Sequence, residues 1–226
     1  MPFEKISKNI YLVGGESLTA SGDCLIYAVD LGKLVLIDCG VGPGWATLRA
    51  NMEEAGLQPD KLNTLLLTHG HVDHIGAAPD IAADTNCEVV AHADDAEAIE
   101  SGDTKKTAAD WYGRELTPMQ LDRRMDGEKL DLFFPNGTLH LLHTPGHTPG
   151  SIVAWLDTED AGRILFGQDI HGPFHPAFGS DKSQWRASMH KLLLLEADIL
   201  CEGHYGIIRG KQAVKDFIKG FLERFV

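Results

Sequence analysis

The chain has 226 residues, 43% of them hydrophobic and 23% charged, the length and balance of one globular domain with a sizeable core. Its formal net charge of −13 argues against a polyanionic partner, because a nucleic-acid binder usually displays a basic face. No apolar run is long enough to span a membrane (LLLLEADIL is short and carries two acids), and the opening MPFEKISKNIYLV lacks the apolar core of a signal peptide, so the expected compartment is the cytoplasm.

In chain order, NIYLV, DCLIYAVD and KLVLIDCG read as short strands, with AVDLGK as a hairpin turn between the last two. WATLRANMEEAG reads as a helix. LNTLLLT is a continuous apolar run, as expected of a strand buried on both faces. HVDHIGAAPDIAADT passes from loop into helix, CEVVAH is another strand and ADDAEAIES a short helix. Residues 102–127, from Gly102 to Gly127, break this rhythm: they are polar, with one aromatic pair, Trp111 and Tyr112. The segment suits a lid over a site that helps to choose the substrate, or a contact surface for a second copy of the chain. Strand signals resume with KLDLFF, TLHLLHT, SIVAWLD and RILFGQD. DKSQWRASMHKLLLLEA is a helix with Asp181 as its cap, DILCEGH a strand ending in a loop, and KQAVKDFIKGFLERFV a closing amphipathic helix. No linker or repeat divides the chain, so residues 1–226 read as a single domain. Strands in two groups, each with helices, suit two sheets packed face to face with helices outside. The four cysteines, Cys24, Cys39, Cys87 and Cys201, have no CxxC spacing and read as small apolar residues.

The chemistry concentrates in THGHVDHIG, where His69, His71, Asp73 and His74 fall within six positions. Imidazole nitrogen and carboxylate oxygen suit zinc, and also iron or manganese. His69 and His71 are two apart, so an extended backbone points them the same way, while Asp73 and His74 begin a helix and face a second point beside the first. Four ligands this close fit two ions better than one, and a pair of ions needs further ligands, one of them a bridging carboxylate. Three more segments, each after a predicted strand, supply candidates: His147 in TPGHTPGS, Asp169 in FGQDIHG and His204 in CEGHYG. Five histidines and two aspartates suffice for two metals with room for water.

In that order and at those separations, THGHVDHIG, TPGHTPGS, GQDI and EGHYG resemble the metallo-β-lactamase superfamily of hydrolases, over nearly the whole chain from YLVGG to the last helix. The resemblance implies an α/β fold, an αββα sandwich of two mixed sheets flanked by helices, with metals at one edge. It implies His69, His71 and His147 on a first metal, Asp73, His74 and His204 on a second, and Asp169 as the bridge. Asp38, in LIDCG, matches a position where relatives keep an acid that orients a ligand imidazole. Two divalent ions, zinc first and iron or manganese as alternates, would lower the pKa of water from about 15.7 towards 7, with Asp73 orienting the hydroxide and carrying a proton. The expected substrate is a small ester, thioester or lactone.

Departures from the family pattern narrow the relatives. Aspartate rather than cysteine or serine at the bridging position points away from β-lactamases and towards the thioesterase, lactonase and ribonuclease branches. The −13 charge makes a nuclease a poor fit. Only 22 residues follow His204, too few for the glutathione-binding domain of glyoxalase II. The other class of reading is a redox enzyme, with one iron on His69, His147 and Asp169 as in persulfide dioxygenases. His171, His175 and Tyr205, just past the ligand positions, are candidates to touch substrate along with Trp111 and Tyr112. His92, His140, His143 and His190 read as structural or exposed.

Overall fold

The computed structural model describes residues 1–225. The first sheet follows chain order: β1 (Glu4–Ser7), β2 (Ile10–Gly14), β3 (Ile26–Asp30), β4 (Leu34–Ile37), β5 (Leu62–Leu66), β6 (Glu88–His92) and β7 (Arg123–Met125). Its first four strands pair antiparallel, while β4 to β7 run parallel. The second sheet is built from β8 (Lys129–Phe134), β9 (Gly137–His143), β10 (Ile152–Thr158), β11 (Gly162–Phe166), β12 (Ile199–Cys201) and β13 (Ile207–Arg209), with β8 and β13 at its edges. All its pairs are antiparallel except β11 with β12.

Side-chain alternation along the strands sorts the apolar residues into three layers. On β3, Ile26 and Ala28 face outward onto the packing surface of α1 (Trp45–Glu54) and the helices that follow β5, whereas Tyr27 and Val29 face the second sheet. The layer between the sheets joins Val35, Ile37, Leu66 and Val90 to Leu139, Leu141, Ile164 and Phe166. The outer layer on the second sheet seats α5 (Lys182–Leu194) and α6 (Lys211–Arg224) through Trp185, Met189, Val214 and Ile218. This is the αββα sandwich of two mixed sheets. Strand β5 lies between two parallel neighbours and buries both faces, as its unbroken apolar run requires. Asp181 caps α5 by accepting from the Ser183 and Gln184 amides at 2.7 and 3.0 Å.

Three strands carry no sequence signal: β1, β7 and β13 are three or four residues long and partly polar. Residues 123–125 therefore do not belong to a protruding insertion. They complete the first sheet as its edge, and only the part before them lies over other structure.

Candidate metal centre

The turn after β5 is held from several directions. Asp38, at the end of β4, adopts φ 60°, a conformation aspartate tolerates better than most residues, and its carboxylate accepts the Thr68 amide at 2.8 Å and the Thr68 hydroxyl at 2.7 Å. Asp95, in the first turn of α4 (Ala93–Ser101), accepts the Gly70 amide at 2.8 Å, and the Val72 amide donates to the Thr107 carbonyl. The chain then enters the single helical turn α2 (Val72–Ile75), which aims Asp73 and His74 at the site. Gly76 closes it, since a Cβ there would lie 2.3 Å from the Val41 carbonyl oxygen.

The loop carrying His147 leans on the same Asp95, which accepts the Gly150 amide and the Thr148 hydroxyl at 2.7 Å each. Gly146, at φ 139°, passes so near α5 that a Cβ would sit 2.3 Å from the Trp185 nitrogen. Glu202, fully buried, accepts the His204 and Tyr205 amides on one oxygen and meets His171 Nδ1 at 2.6 Å on the other. Asp95, on α4, thus ties the His69 turn to the His147 loop, and Glu202 fixes the His204 loop. The sequence analysis singled out neither: Asp95 lies within a short helix and Glu202 within CEGHYG, with no motif marking either.

The seven candidate ligands meet at one edge of the two sheets. Ligand atoms of His69, His71, His147 and Asp169 lie within 4.8 Å of one another, as do those of Asp73, His74, Asp169 and His204, and Asp169 belongs to both groups. Its two oxygens divide between them. Oδ2 faces His147 Nε2 at 3.5 Å and His69 Nε2 at 3.9 Å, while Oδ1 faces His74 Nε2 and His204 Nε2 at 3.2 Å each. Asp73 Oδ2 lies 3.4 Å from His204 Nε2.

The donor set suits cations. His74 Nδ1 meets Asp38 at 2.6 Å, and His147 Nδ1 meets the Pro173 carbonyl at 2.8 Å, so in each neutral ring Nε2 keeps its lone pair and turns it inward. His69 Nε2, His71 Nε2, His74 Nε2 and Asp169 Oδ1 are buried without a hydrogen-bond partner. One such group costs about 1–3 kcal/mol, so four in one place ask for a common partner. Charge points the same way. Burial opposes charge on His204, but Asp169 and Asp73 outweigh it and push its pKa up to about 10. Burial also opposes charge on Asp169, but His74 and His204 hold its carboxyl well below the usual range. Burial and the neighbouring imidazoles keep His69 well below the ordinary histidine value. The acids therefore draw protons onto the second group, where a cation would take their place, while the first group offers neutral imidazoles.

Around the centre, Tyr112 lies in reach of Asp73, and burial together with that carboxylate pushes its phenol up. Trp111 packs on Phe178 and His175 at 4.7 and 5.3 Å between ring centres, and Phe178 packs on His71 at 4.4 Å. His171 is 5.5 Å from His204 and 4.9 Å from Tyr205. Tyr112, His171 and Tyr205 thus stand beside the centre, and Trp111 and His175 reach it through Phe178. Cys24 packs in the core as a small apolar residue, with burial pushing its thiol up to about 12, and its sulfur also lies beside Asp38 and His74. All four cysteines are free and buried. His92 is stacked on His143 and His140 on Trp155, and His190 is exposed.

The family model for the metallo-β-lactamase superfamily matches residues 20–204. The chain belongs to the metallo-β-lactamase superfamily. Within it, the chain is 31% identical over 198 residues to an uncharacterised protein of Mycobacterium leprae, covering 80% of this chain and 85% of that one. It is 27% identical over 214 residues to the probable metallo-hydrolase YqgX of Bacillus subtilis, covering 90% and 88%. A hydroxyacylglutathione hydrolase of Methylococcus capsulatus is 28% identical over 159 residues, 68% of this chain and 53% of that protein. Among solved structures, a B3 metallo-β-lactamase with an active-site glutamic acid superposes with a TM-score of 0.81 at 23% identity over 99% of this chain and 88% of that one, which places the fold. The superfamily is one of metallo-hydrolases, and the two His/Asp groups are of the kind that holds metal. No helix among the described residues is long and apolar enough to cross a membrane.

Proposed function

We propose that the protein is a hydrolase of a small ester, thioester or lactone that works with two divalent metal ions, zinc first, with iron or manganese as alternates. The observation that carries this reading is Asp169, whose two oxygens face two separate ligand groups. One carboxylate so divided suits a pair of cations better than a single one. His69, His71 and His147 would hold the first ion, and Asp73, His74 and His204 the second. When bound, the ions would acidify water and polarise a carbonyl oxygen.

The chain's own residues supply the rest. Asp38 holds the His74 ring, and Thr68 links Asp38 to His69 through its hydroxyl, 3.2 Å from His69 Nδ1. Asp73, buried beside His204 and in reach of Tyr112, can orient water and take its proton. Cleavage adds one water across the acyl bond: the carbon–oxygen or carbon–sulfur bond breaks, a carboxylate forms, an alcohol or thiol departs (in a lactone, at the other end of the same chain), and one proton is released. Similarity to a hydroxyacylglutathione hydrolase supports acyl chemistry, while likeness to β-lactamases at this identity supports the fold. The redox reading, one iron on His69, His147 and Asp169, leaves His71, His74 and His204 without a task. A small-molecule substrate, no nucleic-acid or membrane partner and a cytoplasmic site complete the proposal, with a homo-oligomer as the alternative use of Trp111 and Tyr112.

The test is a screen of esters, thioesters, lactones, phosphodiesters and β-lactams against protein of measured metal content. Turnover of an acyl substrate that tracks two equivalents of metal is expected. A single equivalent of iron with oxygen consumption, or turnover of phosphodiesters alone, would overturn it.

A further inference from the structure

Among the described residues, six large hydrophobic side chains are exposed: Met1, Trp111, Tyr112, Phe133, Leu194 and Tyr205. Scattered exposed hydrophobics need no explanation, but three of these six border one polar site, which is how a ligand pocket is built. Two of them, Trp111 and Tyr205, each stand in an aromatic wall beside one of the two ligand groups. Trp111, 56% exposed, packs on Phe178, and Phe178 on His71 of the first ligand group. Tyr205, 55% exposed, packs on His171 at 4.9 Å and Phe221 at 5.5 Å beside His204 of the second group. The second wall is held still, because the buried Glu202 binds His171 Nδ1 and the Tyr205 amide together.

No lysine or arginine is stacked on either wall among the described residues. Each ion pair of Asp73 and Asp169 among the described residues is to a histidine. No lysine or arginine there lies over Trp111, Tyr112, Phe178 or Tyr205, and Lys182 sits over Phe174 and Phe225, farther along. In a chain of net charge −13, neither aromatic wall thus sets a lysine or arginine against its rings to meet a carboxylate or phosphate handle. Resting on the hydrolase reading above, we infer that the substrate is an uncharged acyl compound with a flat apolar or aromatic group on each side of the scissile carbonyl. One group lies on Trp111 and Phe178, and the other on Tyr205.

The test uses the full, metal-loaded chain and a matched set: ethyl acetate, ethyl phenylacetate, benzyl acetate, benzyl phenylacetate and its 4-carboxybenzyl analogue. Alcohol leaving groups of similar basicity keep intrinsic reactivity level. Each ring is expected to raise kcat/KM about tenfold through aromatic contact, and the added carboxylate to lower it again. Trp111→Ala should erase the gain from one ring and Tyr205→Ala the gain from the other. Trp111→Phe should keep most of it, and Phe133→Ala, on the β8 edge, should change nothing. Calorimetry with the amide N-benzyl-phenylacetamide reads binding independently, and the same two alanine variants should weaken it about tenfold. If no ester, thioester or lactone is cleaved, in this set or in the screen above, yet the amide binds with that dependence, the hydrolase reading falls and this inference stands. If esters are cleaved without preference for rings, or the carboxylate analogue is preferred, this inference falls and the hydrolase stands. If both alanine variants turn a dimer into monomers with amide affinity intact, the walls are a subunit interface and the inference is overturned.

Discussion

The two ligand groups share Asp169 but differ in charge and in access. The first sets three imidazoles and one carboxylate oxygen in a buried pocket, with His69, His71 and His147 only 2, 4 and 3% exposed. The second sets two carboxylates against two imidazoles and opens to solvent at His204, whose side chain is 32% exposed. Charge favours a cation in the second group, because two anions attract it. Access favours exchange there, because water reaches His204 and screens that attraction. The first group has less charge, but its ligands are walled in by Asp95, Trp185 and the sheet edge. The difference teaches that the group with more charge need not be the group that holds its ion longer. An ion in the first group should leave slowly and one in the second quickly.

The largest expected effect removes the one residue both halves use. Asp169→Ala leaves two cations facing each other with no shared anion, so at least one metal equivalent should be lost and turnover should fall more than about a hundredfold. Elemental analysis beside kinetics checks it. Two retained metals with wild-type turnover would end the model in which the halves are coupled.

Next come variants that hit one half each. His204→Ala should cost one equivalent of metal and leave the other resistant to a chelator. His69→Ala should strip the slow-exchanging ion and leave only the fast one. Timed chelation followed by metal analysis separates them. If both variants lose metal at one rate, the contrast in access does not govern exchange.

Asp38→Asn is a milder cut at the second half. Asparagine tolerates the φ of 60° and can still accept from Thr68, but it loses the charge that fixes His74 Nδ1. Metal affinity of the second group is expected to fall about ten- to a hundredfold with the first group spared. Stability should drop by about 1.5–3 kcal/mol, the scale of a hydrogen bond to a charged group. Equal weakening of both groups would show that Thr68 carries the effect of Asp38 through to His69.

Much of this contrast was legible in the sequence. The alternating and continuous apolar runs announced two layers of strands, and His69 to His74 within six positions announced a crowded metal turn. Strand β7 was not legible, because Arg123–Met125 is polar and short and pairs only because β6 offers it a parallel edge. Nor was Asp95, which caps no helix end. Its value lies in reaching two loops, at Gly70 and at Gly150, that are far apart in the chain. The closeness of Tyr112 to Asp73 also depends on how the polar segment folds back. Periodicity reads what a residue does for its own element, and all three of these act between elements.

The smallest effect lies outside the centre and shows whether acid sensitivity comes from the ligands alone. His92 is buried, stacked on His143 at 3.7 Å with 13° between rings, and bonded through Nε2 to the Gly127 carbonyl. Burial, and then the neighbouring His143, hold its pKa below the ordinary 6.5. The unfolded chain therefore binds this proton more readily than the folded one. From about 6.5 down to the lower folded value, falling pH favours the unfolded state, and the stability this site preserves at neutral pH is lost across that window. His92→Gln removes the titration. It should cost some stability at pH 7.5, where the ring and its hydrogen bond are missed, yet lose less than the parent chain between pH 7.5 and pH 5. The difference in Tm change should be about 2 °C or less for a chain of this length. Comparing the variant with its parent at the same metal content cancels the contribution of the ligand histidines, which both proteins share. If the variant and the parent lose Tm in parallel, the acid limb belongs to the metal centre and the stacked pair is only packing.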